Sequence, residues 1–105
     1  MAWIWLFLAG LFEIGWPLGL KLGWGEDGAR VPWIAFAVVC MAASGALLLV
    51  AQREIPMGTA YAVWTGIGAV GTFAVGIVAL GEAASAMRLL SVGLITAGIV
   101  GFKLA

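Results

Sequence analysis

The chain holds 105 residues, 65% hydrophobic and 10% charged, with five basic and five acidic side chains and a formal net charge of zero. So little polar surface cannot cover the core of a soluble domain of this length, and so little positive charge leaves nothing to grip nucleic acid. The single cysteine, Cys40, excludes an intrachain disulfide, and the lack of histidine together with scattered acids speaks against a metal centre.

Four long apolar stretches dominate instead: residues 2–21, 31–51, 58–80 and 84–104. About 20 residues at 1.5 Å rise cross a hydrocarbon core of about 30 Å, the length of each stretch. The expected fold class is an all-α membrane protein, a single domain over residues 1–105 with four transmembrane helices and short connections. A cleaved signal peptide fits poorly, because no Lys or Arg precedes Lys21 and an acid interrupts the first apolar run.

That acid poses the chemical question. The stretch LFLAGLFEIGWPLGLK, Leu6 to Lys21, carries Glu13 at its centre. Insertion scales charge about 2.5–3.5 kcal/mol for an Asp at a helix centre, and acids inside a membrane mark ion or substrate pathways. The bland alternative is a protonated Glu bonded to a neighbouring helix. At 100° per residue, Leu6, Ala9, Gly10, Trp16, Pro17 and Leu20 fall within about 60° of Glu13 on one face. Trp16 can donate its indole N–H to the carboxylate, and Pro17, lacking an N–H, frees the carbonyl of Glu13. Trp3 and Trp5 read as anchors at the membrane interface.

Next comes GWGEDGAR, Gly23 to Arg30, a Gly-rich loop in which Glu26 and Asp27 are solvated. The second stretch contains Cys40, read as a small apolar packing residue. QREIPMG, Gln52 to Gly58, turns at Pro56. The third stretch opens PMGTAYAVWTGIGAVG, where Thr65, Gly68 and Thr72 lie within about 40° of Tyr61 on one face, with Trp64 at its edge. Aromatic faces with polar tips suit a cationic ligand. Gly66, Gly68 and Gly71 allow a bend or close packing, which is the plainer reading of the glycines alone. GEAAS, Gly81 to Ser85, closes the last gap, and Glu54 and Glu82 read as solvated loop acids. In the fourth stretch, Gly93, Ala97 and Gly101 recur every four residues, a spacing that lets helices associate in lipid.

Basic residues report orientation only weakly. Lys21, Arg30 and Arg88 fall on one side, Arg53 and Lys103 on the other. So even a split permits insertion in both orientations and an antiparallel pair.

AGLFEIGWPLGLK, IPMGTAYAVWTGIGAVG and GLITAGIVGFK, in that order across the whole chain, resemble the small multidrug resistance transporters and, within them, the guanidinium-exporter branch. The resemblance implies an antiparallel homodimer from dual-topology insertion. It implies a proton-coupled antiporter that exports guanidinium across the bacterial inner membrane and needs no cofactor. Substrate and protons would compete for paired Glu13 carboxylates, with Trp16, Ser44, Tyr61 and Trp64 completing the binding site. Gly66 and Gly68 match the bend of the third helix, and Gly93, Ala97 and Gly101 the dimerisation motif. The chain departs from the pattern in a longer first loop, in Pro17, and in Gly45, where bulkier residues are frequent. Gly45 keeps open a broader exporter of quaternary ammonium or substituted guanidinyl cations. One half of a heterodimeric exporter should show a stronger charge bias than this chain does. An enzyme is not expected, since no nucleophile–base pair, metal cluster or phosphate loop is present.

Overall fold

The computed structural model describes residues 1–105 as four helices: α1 (Ala2–Gly23), α2 (Val31–Ala51), α3 (Met57–Leu80) and α4 (Ala86–Leu104). All four are long and apolar enough to cross a membrane. Three helix ends differ from the sequence expectation. α1 runs on to Gly23, α3 starts one residue early at Met57, and α4 starts at Ala86 rather than residue 84 because Ser85 takes the N-cap, its Oγ accepting from the Arg88 N–H at 3.2 Å.

The α1–α2 connection is more ordered than an irregular loop. Strands β1 (Trp24–Gly25) and β2 (Gly28–Ala29) pair antiparallel, with Trp24 opposite Ala29. Gly28 takes the turn at φ 106°, where a side chain would be strained. Arg30 then closes the hairpin. Its guanidinium donates to the Leu22 carbonyl at 3.1 Å and to Asp27 Oδ1 at 3.2 Å, satisfying an orphan carbonyl at the end of α1. Pro32 sits in the first turn of α2, where a missing N–H costs nothing.

α1 is the centre of the bundle, with α2 on one side and α3 on the other, while α4 packs chiefly against α3. Close approach of α1 and α2 depends on small residues: a Cβ at Gly15 would stand 2.5 Å from Cys40 Sγ. Cys40 is buried there as a packing residue. Leu6, Ala51, Ile55, Ala60 and Val63 form the apolar core around Ala2. Lys103 Nζ stands 5.0 Å from the Trp3 ring centroid, tying the end of α4 to the start of α1.

Only 16 of the 105 residues are buried, so most of the apolar surface faces outward. α4 buries none of its residues, and Gly93, Ala97 and Gly101 all lie exposed. An outward surface this apolar belongs in lipid or against another chain, not in water.

Candidate functional site

Glu13 is the only acid within a spanning helix. It lies half-buried on α1 where α3 crosses. Trp16, one turn on, donates its indole Nε1–H to Glu13 Oε1 at 2.5 Å. The opposite wall is backbone: a Cβ at Gly68 would overlap the side chain of Glu13. Glycine there gives the carboxylate its place between two helices. Gly10 likewise admits Ile67 and Gly71 admits Ile14, so the α1–α3 seam is built from glycines facing larger residues.

An open cleft of about 250 Å³ adjoins the carboxylate, lined by Glu13, Pro17, Thr65, Gly68, Ala69 and Thr72. It offers a carboxylate and two hydroxyl-bearing side chains within a wall that is otherwise mostly apolar. Such a lining suits a small cation with several N–H donors.

Ser44 sits on α2 and is fully buried. Its Oγ donates to the Ala9 carbonyl at 2.7 Å and accepts from the Trp64 indole N–H at 2.7 Å. One hydroxyl thereby ties α2 to α1 and α3. The Ala9 carbonyl is also the helical partner of the Glu13 N–H, so this network reaches Glu13 through backbone. Tyr61 stacks on Trp64 at a centroid distance of 5.5 Å and an angle of 53°, and stays more than half exposed.

The five sequence-derived site residues therefore form two linked groups. Glu13 and Trp16 meet directly at the cleft. Ser44, Trp64 and Tyr61 join one another a turn earlier along α1, and none of the three lines the cleft. α3 runs unbroken through Gly66 and Gly68. Gly66 faces α4, where a Cβ would come 2.9 Å from Ile99 Cδ1, so both glycines are points of close approach. Two elements escape sequence reasoning. The Ala9 carbonyl carries no residue-specific signal, and the Gly68–Glu13 contact appears only once α1 and α3 cross.

The serine makes a stability test. Ser44→Ala leaves the Trp64 N–H without its acceptor in a part-buried place and removes one bond to Ala9. The expected loss is about 1–3 kcal/mol, read as a lower unfolding temperature in detergent. An unchanged unfolding temperature would mean that the network does not hold the helices together.

The family described as Small Multidrug Resistance protein matches residues 1–95. A guanidinium exporter of Yersinia pseudotuberculosis is 57% identical over 105 residues, covering all of this chain and 99% of the relative. Proteins of the same name from Citrobacter freundii and Salmonella typhimurium are 52% and 51% identical, each over all of this chain and 98% of the relative. The family match spans most of the chain and the relatives align with all of it, and the chain belongs to the small multidrug resistance family.

Proposed function

We propose that this chain is a proton-coupled antiporter that exports guanidinium and works as an antiparallel homodimer, its 105 residues acting as one domain. It is a transporter, and its four spanning helices and family make it a multi-pass protein of the bacterial inner membrane. The observation that carries the substrate reading is the Glu13–Trp16 pair beside an open cleft that Thr65 and Thr72 also line. Relatives named guanidinium exporter, similar end to end, support it.

Guanidinium is planar and presents paired N–H groups that a carboxylate accepts bidentately. A proton and a guanidinium cannot hold the same carboxylate oxygens together. Competition for Glu13 then links outward movement of the cation to inward movement of protons. A second copy supplies a second Glu13 and covers the exposed α4, with Gly93, Ala97 and Gly101 at the contact. Tyr61, Trp64 and Ser44 set the position of α1 against α2 and α3, and Gly66 and Gly68 are where α3 would bend.

The test is reconstitution of the pure protein in liposomes. Proton-driven accumulation of guanidinium, well above that of tetrapropylammonium, is expected. Equal handling of both would favour a broader exporter, the reading that Gly45 supports, since nothing lies within 4 Å of a Cβ built there. No movement of either would overturn the assignment. Orientation is checked in cells, where a cysteine tag after Ala105 should react from both membrane faces. Two lysines added to the Gln52–Gly58 loop should drive labelling to one face and lower activity. One-sided labelling of the unsubstituted protein would exclude dual topology.

A further inference from the structure

Glu82 does not hang free in the α3–α4 loop. Gly81 adopts the left-handed conformation at φ 66°, and the Glu82 N–H donates back to the Gly76 carbonyl at 3.0 Å. That reversal returns the side chain over the last turns of α3, where a Cβ at Gly76 would strike the Glu82 carboxylate. Glu82 therefore lies on a bare glycine of α3, as Glu13 does at Gly68. Gly68 and Gly76 are eight residues apart, about 12 Å along the helix.

A cavity of about 200 Å³ between α1 and α3 places Glu82 and Lys21 at its outer end and Pro17 and Thr72 at its inner end. Pro17 and Thr72 also line the cleft at Glu13, so the two spaces adjoin through them. The exposed carboxylate of Glu82 and the half-buried one of Glu13 thus border neighbouring cavities with Pro17 and Thr72 as common walls. Arg88 borders Glu82 on the other side, in a neighbouring cavity. Neither cation lies within 4.0 Å of Glu82, since the chain's one ion pair is Arg30–Asp27.

We infer that Glu82 is an outer binding site for the transported cation, taking a small planar guanidinium-type ion at the outer end of these cavities and passing it toward Glu13. The inference rests on the guanidinium-export reading. Its carboxylate accepts paired N–H groups from an ion arriving from water, and the Thr72 hydroxyl is the next acceptor inward. Lys21 carries the same charge as the ion from the facing wall, which keeps its stay at Glu82 brief. Capture without trapping raises the rate at which dilute substrate enters and leaves the maximal rate to Glu13.

The test is Glu82→Gln in the full chain, in liposomes, with guanidinium chloride as probe. The KM is expected to rise about three- to tenfold with the maximal rate within about twofold of the unsubstituted protein. The increase of KM with salt should flatten, because screening then has less attraction to remove. Glu82→Asp should restore most of the lost affinity. Guanidinium binding to detergent-solubilised protein, followed by tryptophan fluorescence beside Glu13, should stay unchanged. An unaltered KM and salt dependence in Glu82→Gln would overturn the inference and leave the export reading intact. Weakened binding at Glu13 by the same factor as KM would reduce Glu82 to a structural residue and overturn it too. Absence of guanidinium flux in the unsubstituted protein would overturn the export reading itself, and the inference with it.

Discussion

Glu13→Gln should abolish proton-driven guanidinium accumulation in liposomes while the protein keeps its oligomeric state in detergent. Gln has nearly the shape of Glu, and its amide oxygen can still accept the Trp16 indole N–H, so the α1–α3 seam at Gly68 is preserved. What disappears is the charge, on which both the proposed proton site and the proposed cation site rest. Two hydrogen bonds to a charged group at about 1.5–3 kcal/mol each amount to a loss of affinity beyond about a hundredfold. No other acid within the spanning helices can replace it. Accumulation by the Gln protein against a concentration gradient would remove Glu13 from the centre of the mechanism.

Trp16→Gly should weaken guanidinium transport and admit bulkier cations. The indole holds Glu13 from one turn away on the same helix, fixing one carboxylate oxygen of a side chain that lines the cleft. Loss of a bond to a charged acceptor, at about 1.5–3 kcal/mol, corresponds to roughly ten- to a hundredfold in affinity. The vacated indole volume lies beside the carboxylate, which gives a quaternary ammonium ion room that a planar guanidinium does not need. Paired binding isotherms for guanidinium and tetrapropylammonium on both proteins separate the outcomes. Unchanged guanidinium affinity without any gain for tetrapropylammonium would make Trp16 a packing residue.

Much of this protein is legible along the chain because its strongest constraint is one-dimensional. A backbone in lipid must satisfy its own hydrogen bonds, so a span declares itself as about 20 apolar residues, whatever its neighbours do. Glu13 declares itself by the same rule, as an acid where lipid penalises one, and Trp16 by helical periodicity alone. Those local facts, with the motifs around Tyr61, Trp64 and the α4 glycines, were sufficient for the fold class and the family.

Tertiary structure decided what joins what. Ser44 is 35 residues from Ala9 and 20 from Trp64, and no periodicity relates positions on different helices. Gly68 looks like a bend or a lipid-facing gap until α1 crosses it and its missing Cβ becomes the space for a carboxylate. Ser44, Tyr61 and Trp64 share a network without lining the Glu13 cleft, a division set by which faces of three helices meet. Glu82 shows the limit most sharply. Its place in a loop between spans says only that water reaches it. The left-handed turn at Gly81 and the bare backbone at Gly76 bring its carboxylate to the cavity, and that depends on how a helix ends against its neighbour.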